Sequence, residues 1–193
     1  MPRIDWRTAL KAVIGFAVGL AAWTMLSTTY DSMLASVTEA TIRLFERPQV
    51  TRLNPDGEYI SIDRQDFDPR SKHPEIPASD LTFNLILLTA LFAAEKRTFS
   101  DRNMIRFALA LLVLSLTHVF GVVTEVMSIY VARLGPWSEA NYGPIARNFW
   151  GVANHFYRLV LMYAIAFGLW WGFRPKGDAE SEKTKPRKKR KPT

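Results

Sequence analysis

Six polar side chains sit inside or at the edge of otherwise apolar stretches: Asn84, His118, Glu125, Asn154, His155 and Arg158. An ionisable group within a bilayer costs about 2.5–3.5 kcal/mol on the insertion scale, so it persists where it finds a partner or lines a cavity. His118 and Glu125 are seven residues apart, which puts them on one face of a helix. Asn154 and Arg158 stand at i,i+4 and His155 and Arg158 at i,i+3, so these three share a second, broad face. Imidazole, carboxylate and guanidinium together could move protons, seat a polar ligand, or hold helices to one another at about 0.6 kcal/mol per contact. His118, His155 and Glu125 number enough for a metal site, but no HExxH-type spacing supports one, so no metal and no cofactor are expected. The chain contains no cysteine, which excludes disulfides, thiolate ligands and a cysteine nucleophile.

Four apolar stretches must position these residues, running roughly over 12–26, 81–94, 107–127 and 152–173. A hydrocarbon layer of about 30 Å needs about 20 mostly apolar residues. The third and fourth stretches satisfy this directly. The first does so by extending to Tyr30, an interfacial anchor, and the second only with its polar flanks, a buried or re-entrant helix being the alternative there. The mean hydropathy of -0.02 hides this pattern because it averages greasy spans with a polar loop and a basic tail. Of the net charge of +7, +6 belongs to the residues from Arg174 onward, so basicity says nothing of a nucleic-acid-binding body.

Positive charge falls on alternate connections: Arg3, Arg7 and Lys11 at the start; Lys96, Arg97, Arg102 and Arg106 between the second and third stretches; and the tail. Short cytoplasmic connections accumulate Lys and Arg, so all three are expected on the cytoplasmic side. The first stretch lacks a small-residue cleavage pattern and reads as a retained anchor rather than a signal peptide. Gly15 and Gly19 form a small-xxx-small pair that would let another helix approach closely.

The expected fold is an all-α integral membrane protein, a four-helix transmembrane bundle with an outer amphipathic helix and a small β-hairpin. Its membrane domain covers residues 1–175, with spans near 10–30, 78–96, 105–127 and 149–173 and an outer loop over 31–79. Leu34, Val37, Leu44 and Phe45 repeat at helical spacing, with Glu39 and Arg43 placed as an i,i+4 pair, which suggests an amphipathic helix along the membrane surface or packed over the bundle. Asn54-Pro55-Asp56-Gly57 lies between two alternating runs and signals the hairpin. Asp63, Asp66 and Asp68 lack calcium-loop spacing, and residues 69–79 read as an extended linker. On this topology the six polar residues fall in one outward-facing layer, the basis for expecting a polar pocket there. Residues 176–193 read as a disordered cytoplasmic tail. Its Lys185, Arg187, Lys188, Lys189, Arg190 and Lys191 would lie against anionic lipid at about 1 kcal/mol per charge.

Several short motifs carry a resemblance: Tyr30-Asp31, Leu44-Phe45-Glu46-Arg47-Pro48 before the Asp56-Gly57 hairpin, Leu81-Thr82-Phe83-Asn84-Leu85, Leu116-Thr117-His118-Val119 and Leu169-Trp170-Trp171. With them the chain resembles the exosortase H-associated membrane protein type, small multi-span proteins that accompany the bacterial membrane transpeptidases called exosortases. Exosortases place a Cys, an Arg and a His near the outer face of the membrane. This sequence offers Arg158, His118 and His155 but no Cys, so the resemblance implies an accessory subunit rather than the peptidase.

The expected function is therefore an accessory protein of the bacterial inner membrane. Both termini would be cytoplasmic, and the protein would bind a partner membrane enzyme or its substrate, without nucleic acid. Two other readings stand beside it: a membrane-embedded enzyme or transporter using the His/Glu/Arg cluster, and a lipid-binding scaffold driven by the tail.

Overall fold

The computed structural model describes residues 5–67, 72–95 and 98–173; the basic tail, Arg3, Asp68, Lys96 and Arg97 lie outside them. The first element, α1, is a single helix over Trp6–Phe45, capped by Asp5, whose side chain accepts the Arg7 N–H at 3.3 Å. At 1.5 Å per residue this rod is about 60 Å long. The expected surface helix is thus the direct continuation of the first span. No glycine or proline interrupts the chain between Gly19 and Pro48. The hydroxyls of Ser32, Ser36 and Thr41 donate to the carbonyls four residues back at 2.8, 2.9 and 2.8 Å, so polar residues in the upper half are satisfied within the helix itself.

After α1 the chain forms β1 (Thr51–Asp56) and β2 (Tyr59–Arg64), an antiparallel pair with Thr51 opposite Arg64 and Asp56 opposite Tyr59. The two-residue loop is Gly57-Glu58, later than the Asn54–Gly57 reading, because Gly57 supplies the positive φ of 61° that such a loop needs. Part of the expected linker forms a third strand, β3 (Glu75–Pro77), pairing with β2. Leu53, Ile60, Ile62 and Ile76 point inward and bury against Leu34 and Ile42 of α1 and against a later helix. The free edge of β1 is covered by side chains of α1. Glu39 accepts the Leu53 N–H at 2.9 Å, Glu46 accepts the Thr51 N–H at 3.0 Å, and Arg43 donates to the Thr51 carbonyl at 2.9 Å. The Glu39–Arg43 pair forms as expected, at 2.9 Å, and serves as a substitute strand for an otherwise exposed edge.

The remaining elements are α2 (Ala78–Thr82), α3 (Asn84–Ala93), α4 (Asp101–Ala132), α5 (Pro136–Asn141), α6 (Pro144–Phe156), a π-helical turn over Tyr157–Leu161, and α7 (Met162–Phe173). Three helical rods are long and apolar enough to cross a membrane: α1, α4 and the continuous Pro144–Phe173. The second apolar stretch, Ala78–Ala93, is shorter, about 24 Å against a layer of about 30 Å. It is nonetheless deeply enclosed, with Ile86 and Leu88 fully buried among α1, α4 and α7.

The bundle has two distinct ends. At one, Lys11 Nζ donates to the Glu95 carbonyl at 3.2 Å and Trp170 Nε1 to the Glu95 carboxylate at 2.9 Å. At the other stands the sheet.

The Gly15/Gly19 pair does bring a helix close. A Cβ at Gly15 would sit 2.3 Å from the Ala93 Cβ, and one at Gly19 3.0 Å from the Thr89 Cβ. Overpacking of this kind costs about 1–3 kcal/mol. Gly15→Leu is therefore expected to lower stability by that amount in chemical unfolding of the micelle-bound protein. Gly168→Ala, at a position with open space around it, causes no loss.

Candidate functional site

Within the bundle, four helices are joined by one chain of hydrogen bonds. Asn84 opens α3, and its amide Nδ2 donates to the Met162 carbonyl of α7 at 2.9 Å. A carbonyl only accepts, so this contact orients the amide and leaves Asn84 Oδ1 as the acceptor facing His118 Nε2 at 2.6 Å. His118 therefore carries its proton on Nε2, and Nδ1 accepts from the Tyr30 hydroxyl of α1 at 2.5 Å. Asn84 and His118 are both fully buried, and neither imidazole nitrogen is left over. The ring is bonded on both sides.

A second group lies nearer the sheet. Glu125 on α4 is only 2% exposed and receives Arg158 at 3.3 Å and Arg133 at 3.5 Å. Arg158 also reaches Asp80 on α2 at 3.0 Å. Two cations meet two carboxylates, so the group is neutral overall. Arg158 lies in the π-helical turn, whose wider winding separates the register of α6 from that of α7. The same turn seats the Tyr157 ring against Gly121, where a Cβ would come within 2.4 Å of it.

The six residues expected in one pocket thus divide. Asn84 and His118 form one pair, and Glu125 and Arg158 another. Asn154 is buried at 2%, with its side-chain carbonyl unpartnered among the described residues. His155 is exposed and turned away, its Nδ1 against the Gly151 carbonyl at 2.8 Å. Neighbours in sequence point about 100° apart on a helix, and the π-helical turn breaks the i,i+3 relation that would have carried His155 with Arg158. Among the described residues, no three His, Cys, Asp or Glu side chains gather as a metal ion requires. Tyr30, Asp80 and Arg133 complete the two groups and were not singled out from sequence. Tyr30 was read as an interfacial anchor, and Asp80 lies beyond the apolar run.

A third cluster supports the sheet end. Arg64 closes β2 on the same face as Ile60 and Ile62, and strand alternation was the signal that placed it inward. Its guanidinium carbon lies 5.9 Å from the Phe67 ring centroid and 5.0 Å from those of Tyr130 and Trp137. It bonds the Glu46 carboxylate and makes a bidentate contact with Asp66 at 2.8 and 3.0 Å. The hydrogen bonds from Arg64 hold the Asp66 carboxyl below its ordinary value, against a smaller opposing effect of burial. Burial pushes the nearby Tyr142 hydroxyl up.

Asn84→Leu strands the buried His118 donor, and costs about 1–3 kcal/mol in micelle unfolding. Adding His118→Phe to it costs less than the sum of the two single changes. His155→Ala stays within about 0.5 kcal/mol of the parent. Because the folded pKa of Asp66 is lowered, its contribution is complete above the ordinary carboxylate value of about 4. That contribution is lost as the pH falls through the lowered folded value. Trp137 fluorescence should follow the loss, and Asp66→Asn should remove that pH dependence.

Compared with known proteins, the chain matches no curated protein and no solved structure. Residues 5–176 do match a family model, described as exosortase H-associated membrane protein. That span takes in all three spanning-length helices, the sheet and both buried polar groups, so the chain belongs to the family of exosortase H-associated membrane proteins.

Proposed function

We propose that this protein is an accessory subunit of a bacterial exosortase-type envelope sorting system, binding the partner membrane enzyme or its substrate rather than carrying out the transfer. The observation that carries this reading is how the buried polar groups are used. Both nitrogens of His118 are engaged, Glu125 is held by two arginines, and the chain has no cysteine. Nucleophilic transfer needs a nucleophile with a base in hydrogen-bond reach, and these side chains are bonded to one another instead. Family membership supports a membrane-protein partner of the exosortase type.

The topology that fits this role has four crossings of the inner membrane with both termini in the cytoplasm. Arg7 and Lys11 begin α1, Arg102 and Arg106 begin α4, and Trp170 ends near Glu95, so these four basic residues lie at the bundle end away from the sheet. Positive residues favour the cytoplasmic side. The sheet, tied to α1 and α4, would then be the outer platform offered to the partner. The tail would rest on anionic lipid. The polar groups Asn84, His118, Glu125 and Arg158 would set the shape of the outer half of the bundle, on which partner recognition depends.

Affinity capture of the tagged chain from its native membranes in mild detergent is the test. The expected result is recovery of an exosortase-type transpeptidase, loss of that recovery in Arg158→Leu with normal membrane insertion, and no peptide cleavage by the isolated chain. Turnover by the isolated chain, or capture unchanged in Arg158→Leu, would overturn this assignment.

A further inference from the structure

Between α1, α2 and the π-helical turn lies a cleft of about 430 Å³, lined by Trp23, Ser79, Asp80, Phe83, Arg158 and Tyr163 among others. Its two halves differ in chemistry. Toward the sheet are the Ser79 hydroxyl and the Arg158–Asp80 pair, with the Arg158 side chain 33% exposed and that of Asp80 54% exposed. One turn nearer the other end, the walls are Phe83, Trp23, Met162 and the Tyr163 ring. Trp23 is fixed there by its indole N–H, which donates to the Thr82 hydroxyl at 3.1 Å.

Depth along the bundle narrows the occupant. Asp80 lies fifteen residues from Glu95, and Arg158 fifteen from Phe173. At 1.5 Å per residue each charge is about 22 Å from the far end, in the outer third of a hydrocarbon layer about 30 Å thick. Part-exposed charges at that depth, above an apolar and aromatic wall, match an amphiphile lying parallel to the helices. An anion alone would meet Asp80, and a cation alone would meet Arg158. A zwitterion satisfies both, with its phosphate toward Arg158 and its ammonium toward Asp80.

We infer that this cleft seats a phospholipid whose head group carries both a phosphate and a primary ammonium, with the upper acyl chain along Phe83 and Trp23. A primary ammonium donates hydrogen bonds to a carboxylate, and a quaternary one does not. The site shares Arg158 with the partner-binding reading, but its test turns on Asp80 and uses no partner protein, so the two can fail independently.

Native mass spectrometry of the full chain in nonionic micelles tests it, after incubation with equal amounts of phosphatidylethanolamine, phosphatidylglycerol and phosphatidylcholine of one chain length. Phosphatidylethanolamine should be retained about five- to tenfold over each of the others, the size of one charge-assisted contact. Asp80→Asn should bring the three to parity without moving the melting temperature, since Glu125 still holds Arg158. Equal retention by the parent protein, a preference for phosphatidylglycerol, or a preference that survives Asp80→Asn would overturn the site. So would Phe83→Cys crosslinking to a protein in cells with no lipid retained.

Discussion

The Tyr30–His118–Asn84–Met162 hydrogen-bond chain is the constraint around which the bundle is arranged. Apolar packing alone specifies helix contacts poorly in a lipid-like environment, because lipid tails are as apolar as leucine. A fully enclosed imidazole and amide admit only the arrangement in which every donor meets an acceptor. The Met162 carbonyl orients Asn84, Asn84 selects the histidine tautomer, and the tautomer requires a donor from Tyr30. Each bond thus sets the direction of the next, and α1, α3, α4 and α7 are held in one rotational setting. The Gly15 and Gly19 contacts then let α3 approach α1 at backbone distance along the same interface.

The second ionic group explains how a short α3 is compatible with long neighbours. Asp80 sits just before the apolar run and is matched by Arg158 on the facing rod. The apolar surface ends at the level where the charges begin. The π-helical turn makes this possible, since it presents Tyr157 to Gly121 and Arg158 to Glu125 from consecutive positions. A regular helix would put about 100° between them without the extra winding.

The sheet end follows a different logic. The β1–β2 hairpin would be marginal alone, and β3 adds only the three residues Glu75–Pro77 to it. Here they rest on α1 and α4 over one continuous apolar cluster, and α1 covers their free edge with Glu39, Arg43 and Glu46. Arg64 then closes the cluster, desolvated among aromatic rings but matched by Glu46 and Asp66. One helix therefore serves both as a spanning-length rod and as the foundation of the platform, which ties the position of the sheet to the rotation of α1.

Much of this was legible residue by residue. Apolar run length marked the cores of the three long rods but also counted the short Ala78–Ala93 stretch as a fourth, strand alternation and Gly57 marked the hairpin, small-residue spacing marked a close helix contact on α1 without naming its partner, and the i,i+4 rule marked Glu39–Arg43. Short motifs sufficed to suggest the family. The pairing of Tyr30 with His118, the reach of Asp80 to Arg158, the outward turn of His155 and the aromatic cage of Arg64 were settled only by the fold. The reason is geometric. Periodicity along a chain decides which side chains share a face of one element. Which faces then meet depends on the rotation of each element against its neighbours, and a single π-helical turn is enough to change that rotation.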